Sequence, residues 1–218
     1  MSTPKKYRQI FDVMFDAYGP QHWWPGDTPF EIMVGAVLTQ NTSWTNVEKA
    51  MVHLKANNAL NPQVIINTHH KRLASWLKPV GYFNVKATRL KSYCHWYLDA
   101  GQFAALNRLD THELRTALLS VKGVGPETAD DIVLYAFERP IFVIDAYTRR
   151  LFSRLGFVSG EEGYETLRAT FEKKLQKQDE KVQLFNEYHG LIVHHAKYFC
   201  KTKPVCEGCC LRKHCTVV

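Results

Sequence analysis

The sequence predicts an all-α protein, and three observations carry that reading. Apolar residues recur at three- and four-residue steps along nearly the whole chain, and the strict alternation of half-buried strands is scarce. The 218 residues are 45% hydrophobic, 12% aromatic and 22% charged, enough to bury a sizeable core and unlike a disordered, collagenous or coiled-coil chain. Short Gly, Pro and Asn breaks divide the apolar stripes into segments of helix length.

The first segment, 4–18, stripes Ile10 and Met14 beside Phe11, Phe15 and Tyr18. Asp12 and Asp16 interrupt its apolar positions, so it reads as an amphipathic helix and not as a secretory signal. Further helices are expected over 29–39, 44–57, 62–77, 83–100, 102–107, 111–119, 126–137, 145–155, 161–177 and 180–199, roughly ten in all. Leu90, Tyr93 and Tyr97 stripe one of them. The best strand candidate, Ile141-Phe142-Val143-Ile144, is four residues long and follows Pro140. No apolar run of about 18 residues exists, so no membrane span and a cytoplasmic, nucleoid-associated location are expected. There is no internal repeat.

Two breaks stand out. Residues 19–29, GPQHWWPGDTP, cannot be helical and place two adjacent indoles, Trp23 and Trp24, in a loop. Residues 120–126, SVKGVGP, separate two short helices. Asp110 and Glu113 have capping-box spacing before the first, and Pro126 suits the first turn of the second. Between them, the glycines of Gly123-Val124-Gly125 are both expected to supply positive φ, so that consecutive backbone N–H groups point at one anion, beside the positive end of the following helix and Lys122. An ordinary helix-to-helix turn would look the same. Lys and Arg total 28 against 21 acids, a net charge of +7 that attracts DNA phosphates and acidic lipids alike.

The cysteines carry more. Cys94 stands alone beside Tyr93 and Trp96 and reads as a core residue, whereas the other five fall in the last nineteen positions. Cys200, Cys206, Cys209 and Cys215 are spaced C-x5-C-x2-C-x5-C, with Gly208 allowing the tight turn of the inner pair. Four thiolates so placed satisfy a structural zinc or a four-iron cluster, and Cys210 is a spare.

The run from Leu119 through Gly123-Val124-Gly125 to Phe137, followed by Val143-Ile144-Asp145-Ala146-Tyr147-Thr148-Arg149-Arg150, resembles the helix-hairpin-helix (HhH-GPD) DNA glycosylases of the endonuclease III type. The interval from Gly125 to Asp145 matches that family's hairpin-to-aspartate spacing, and the terminal cysteines are similar to its cluster loop, with one residue fewer in the first gap. The resemblance implies a two-domain fold with a cleft between the domains. A six-helix domain over 29–137 would carry the hairpin; 1–28 and 138–218 would form a discontinuous second domain ending in the cysteine loop. It also implies a 4Fe-4S cluster on Cys200, Cys206, Cys209 and Cys215, with zinc or a site rebuilt around Cys210 as alternatives, and a monomer acting on double-stranded DNA that contains a damaged base.

Asp145 would then stabilise the positive charge that builds on the sugar, or orient the attacking water; as a bland alternative it caps a helix, and both can hold. Bifunctional members carry a lysine two residues after the second glycine, where this chain has Glu127, which cannot form an imine. A monofunctional glycosylase without AP lyase activity is therefore expected. Gln40 would fill the gap left by the extruded base, and Lys122, Gly123, Val124, Gly125 and Thr128 would bind the DNA. The pairing of Trp23-Trp24-Pro25 with Gly35–Thr42 is similar to the 3-methyladenine DNA glycosylase III branch. It implies a pocket of Trp23, Trp24, Pro25 and Trp44, whose ring faces suit cationic alkylated purines. Mismatched thymine or uracil, oxidised pyrimidines, or a non-catalytic damage-binding module are the rival readings. The histidines, His189 and the pairs His69-His70 and His194-His195 among them, read as helix-surface residues, and Lys173, Lys174, Lys177 and Lys181 as a solvated face.

Overall fold

The computed structural model describes residues 4–23 and 26–217 and is helical throughout, with no strand among those residues. Cα packing divides the chain into two units, Met1–Trp23 with Pro140–Val218, and Trp24–Arg139. None of the described helices is long and apolar enough to cross a membrane.

The continuous unit is built on α2 (Pro29–Thr39), whose residues from Glu31 to Leu38 are all buried. Thr28 opens it by accepting from the Glu31 N–H, and Pro29 occupies its first turn, where no N–H partner is lost. Around it pack α3 (Trp44–Ala56) and α6 (Phe83–Asp99), and α4 (Pro62–Asn67) and α5 (His70–Trp76) pack on α6. The sequence pattern suggested one helix over 62–77, but the chain breaks at Thr68 and His69. The break is stabilised from outside the segment by Lys91 Nζ of α6, which donates to the carbonyls of Ile66 and Thr68, and within it by the His69 ring, which caps α5 at the Lys71 N–H. The unit ends with α7 (Gln102–Leu106), α8 (Thr111–Leu119) and α9 (Pro126–Asp131), the last continuing into a wider π-helical turn, Ile132–Ala136, that is wholly buried against α2.

The other unit holds α1 (Pro4–Tyr18), α10 (Ala146–Arg154), α11 (Tyr164–Leu175) and α12 (Lys181–Tyr198). α1 packs on α11 and α12, and α10 packs on α12. Its core is aromatic: Tyr7, Phe142, Phe152, Phe171, Phe185 and Tyr188 are all nearly inaccessible. Their rings meet edge-on or stacked, with centroids 4.5 Å apart for Phe142–Phe171 and 4.6 Å for Phe152–Phe171. Ile141–Ile144 is buried and belongs to neither helix nor strand. Side chains replace the missing strand partner: Glu172 accepts from the Phe142 N–H at 3.1 Å, and the Tyr164 hydroxyl oxygen from the Ile144 N–H at 3.4 Å. This buried ribbon delivers Asp145 to the start of α10. Cys94 lies in the core of its own unit, where burial raises its thiol to about 12.

Candidate functional site: a hairpin, a capped aspartate and a cysteine loop

The hairpin is fixed from both sides. The capping box that starts α8 is present: Asp110 Oδ1 accepts from the Glu113 N–H at 2.8 Å, and Glu113 returns a bond to the Asp110 N–H at 2.9 Å. Val121 and Val124 are buried and anchor the turn, whereas Lys122, Gly123 and Gly125 are exposed. Beneath it, the Arg115 guanidinium of α8 grips the fully buried Asp130 carboxylate of α9 through two contacts, 2.5 and 3.2 Å. This paired fork sets the angle between the two helices, and residue spacing alone did not reveal it.

The two glycines are there for different reasons. Gly123 has φ +94°, a conformation that L side chains rarely adopt, and a Cβ there would lie 2.9 Å from Arg89 Cγ. The expectation that both glycines supply positive φ is not met. Gly125 is extended (φ −95°, ψ 177°), and a Cβ there would meet nothing within 4 Å. Nothing inside the protein requires glycine at 125, so its smallness is available to whatever approaches from outside.

Gln40 follows the end of α2, and Asn41 takes the left-handed conformation (φ +54°) that ends the helix. Gln40 Nε2 donates to the Gly123 carbonyl at 2.8 Å and to Thr128 Oγ1 at 3.0 Å, while Arg89 donates to Gln40 Oε1. The expected DNA-contacting residues Gln40, Gly123 and Thr128 are thus joined directly. Two basic residues that sequence reading missed complete this arrangement. Arg89 holds Gln40, and the buried Lys86 donates to the Leu38 and Val80 carbonyls, closing the end of α2 just before Gln40. Burial, with Arg89 nearby, lowers Lys86 to about 8.

Asp145 caps α10. Its Oδ1 accepts from the Thr148 N–H at 2.6 Å, and its Oδ2 lies 3.5 Å from His189 Nε2 of α12. Burial pushes the carboxyl up, but the facing His189 and the Thr148 N–H outweigh it and hold Asp145 below the ordinary carboxylate range. His189 is buried, and so is His195, so the histidines of α12 are not a surface set. His189 could have been anticipated only by knowing which face of α12 meets α10. One residue along, Gly190 admits Trp23: a Cβ at 190 would lie 3.0 Å from Trp23 Cβ. Lys197, two turns further on, places Nζ 5.8 Å from the centroid of the Trp23 ring. Trp24 and Pro25 lie outside the described residues. Trp44 is the first residue of α3, and Glu127 lies exposed in the first turn of α9.

The cysteine loop follows α12. Cys200, Cys206, Cys209 and Cys215 all line one cavity whose walls include Leu151, Leu155, Phe199, Val205 and Leu211; Cys210 is not among its lining residues. The C-terminal half of α10 clamps the loop. Arg150 donates to the Cys200 carbonyl at 2.8 Å; Arg154 donates to the Lys201 and Thr202 carbonyls and to Cys200 Sγ at 3.3 Å. A single helix therefore carries the capped aspartate at its start and the loop's anchors near its end. Among the described residues, no three His, Cys, Asp or Glu side chains are arranged to hold one metal ion. Lys173, Lys174 and Lys177 of the expected solvated face line a groove with Lys5, Arg8 and Asp12 of α1.

Comparison with known proteins places these features in a family. Residues 34–177 match the model of the HhH-GPD superfamily of base excision DNA repair proteins. A Methanocaldococcus jannaschii protein named as a DNA repair glycosylase is 43% identical over 211 residues, covering 95% of this chain and 94% of its own. Endonuclease III of Sulfolobus acidocaldarius is 28% identical over 190 residues, covering 85% and 81%. Among solved structures, the 3-methyladenine DNA glycosylase of H. pylori (MagIII), bound to 1,N6-ethenoadenine, is similar at 29% identity. Its TM-score is 0.76, with 90% of this chain and 98% of that one covered. The chain belongs to the HhH-GPD superfamily of base excision repair proteins and is a DNA glycosylase of that family.

Proposed function

We propose that this glycosylase is monofunctional: it hydrolyses the N-glycosidic bond of alkylated purines, such as 3-methyladenine, and leaves an intact abasic site. The observation that carries the reading is Asp145, a half-buried carboxylate held below the ordinary carboxylate range, in a chain that has a carboxylate, Glu127, where a lyase would need an amine. As the base departs, positive charge grows on the sugar, and a fixed carboxylate in a low-dielectric site stabilises it without reorganising. His189 and the Thr148 N–H together hold the carboxyl below its ordinary range, and the Thr148 cap keeps Oδ1 oriented. Glu127 favours the positive end of α9 but offers no nucleophile for an imine.

The base class rests on Trp23 and on the H. pylori likeness. Trp23 sits against α12 beside the residue that faces Asp145, and an indole face attracts a cationic base by about 0.5–2 kcal/mol. Trp24, Pro25 and Trp44 would complete the pocket. A base made cationic by methylation also leaves readily, so the site needs no strong general acid. For DNA, Gly123, Val124 and Gly125 with Lys122 and Thr128 would clamp a phosphate, and Gln40 would exchange its hairpin bonds for the gap left by the extruded base.

Cys200, Cys206, Cys209 and Cys215 would hold a 4Fe-4S cluster, and the residues fit it. One zinc would need all four sulfurs about 2.3 Å from one point, whereas a cluster spreads its ligands over separate irons around an apolar cavity such as this one. When bound, the group supplies a covalent staple across the loop and a one-electron redox centre.

Incubation with duplex DNA carrying methylated purines tests the activity. Release of 3-methyladenine, with strand breaks only after alkali, is expected. No release from this DNA, with activity on mismatched or oxidised pyrimidines, would overturn the base class; binding without any release would overturn catalysis.

A further inference from the structure

We infer that Cys210, Tyr18 and His195 form a directed hydrogen-bond relay that ends on Cys209 and raises the reduction potential of the cluster. The inference rests on the cluster reading above. Three elements supply the relay: Tyr18 ends α1, His195 lies in the last turns of α12, and both cysteines belong to the loop. His195 is 1% exposed, with Nδ1 2.7 Å from the Tyr18 hydroxyl and Nε2 3.8 Å from Cys209 Sγ. Cys210 Sγ lies 3.2 Å from the same hydroxyl and, at a longer 4.0 Å, from His195 Nδ1.

The direction of every bond follows from one constraint. A cysteine bound to iron is a thiolate and can only accept. Nε2 of His195 must then carry the ring proton and donate to Cys209 Sγ. A neutral imidazole has a single N–H, so Nδ1 is bare and accepts from the Tyr18 O–H. The phenol oxygen, having given its proton, accepts from the Cys210 S–H. Without the cluster, the chain could run either way; ligation fixes it. The same reasoning assigns Cys210, which stays protonated and is a positioning residue, not a fifth ligand. Its absence from the lining of the cavity that holds the other four thiols agrees with this. Ring packing keeps Tyr18 oriented toward His195, with the centroids of His194 and Phe199 lying 4.7 and 6.1 Å from its own.

An N–H donated to a ligating sulfur withdraws negative charge from the cluster and so favours its reduced form. Tyr18 acts one step back, by fixing which nitrogen bears the proton, and Cys210 one step further. The expected effects therefore decline along the relay.

The test is voltammetry on the purified, iron-loaded full-length protein, with iron and sulfide content measured in parallel. Tyr18→Phe removes one oxygen and keeps the ring packing. It should leave the iron content unchanged and move the cluster potential to a more negative value. Cys210→Ala should produce a smaller shift in the same direction, again with full iron, and Cys210→Ser, which restores a donor, should recover the wild-type value. A potential unchanged in both Tyr18→Phe and Cys210→Ala, or iron lost on Cys210→Ala, would overturn the relay. If Tyr18→Phe does not fold, the Cys210 pair decides alone. Wild-type protein purified without iron and sulfide would instead fail the cluster reading itself, a result distinguishable from any shift among loaded variants.

Discussion

The hairpin and the aspartate site are built in opposite ways. The hairpin is framed by neighbours in sequence: its capping box, anchoring valines and buried Arg115–Asp130 pair all fall within Asp110–Asp130, and Gln40, held by Arg89, then bonds its surface from the end of α2. Asp145 draws on partners far along the chain. The ribbon that delivers it is satisfied by Tyr164 and Glu172, and its second carboxylate oxygen faces His189. A local device can be altered piece by piece with local consequences. A site assembled over forty residues depends on the packing of a whole unit, and errors in that packing reach the chemistry.

The largest effect should come from the distributed site. Asp145→Asn keeps a cap for α10 but removes the charge, and base release should fall by about 100-fold or more while folding is retained. Single-turnover base release and circular dichroism together check this. Next is the brace under the hairpin. Asp130→Ala breaks the buried Arg115–Asp130 pair and should destabilise the protein by about 3–5 kcal/mol, seen as a large fall in Tm.

The two glycines sharpen the contrast within the hairpin. Gly123→Ala forces a side chain into φ +94° and displaces Arg89 from Gln40, so it should cost about 1–2 kcal/mol of stability and weaken DNA binding. Gly125→Ala should leave Tm nearly unchanged, because a Cβ there meets nothing in the protein, yet still weaken binding if a phosphate approaches it. Equal losses of stability in the two variants would remove the distinction.

The smallest effect is a shift in pH dependence. Asp145 has a depressed pKa, so its ionised form is present above the ordinary aspartate value and is lost only as pH falls through the lower, folded one. His189→Gln removes a group that opposes the effect of burial. The acid limb of base release should move to higher pH, and an unchanged profile would show that Thr148 alone holds the charge.

This contrast also explains what could be read from the sequence. The helix pattern, the capping box, Pro126 in the first turn of α9 and the core position of Cys94 are short-range or compositional, and they were legible. The break at Thr68–His69 was not, because Lys91, more than twenty residues later, stabilises it. His189 and His195 looked like surface histidines for the same reason: their burial depends on which elements cover α12. The aspartate was found by its interval from the hairpin, while the groups that hold its charge needed three dimensions. Gly125 stands between these cases: its type was noticed, but the reason first assigned to it, positive φ, belongs to Gly123 alone.

The central claim is hydrolysis beside Asp145 without a covalent amine. Borohydride added during turnover of alkylated duplex DNA tests it most directly. Continued base release, no protein–DNA adduct, and strand breaks only after alkali are the predicted results. A trapped adduct, or breaks without alkali, would show that another amine does what Glu127 cannot and would contradict that claim.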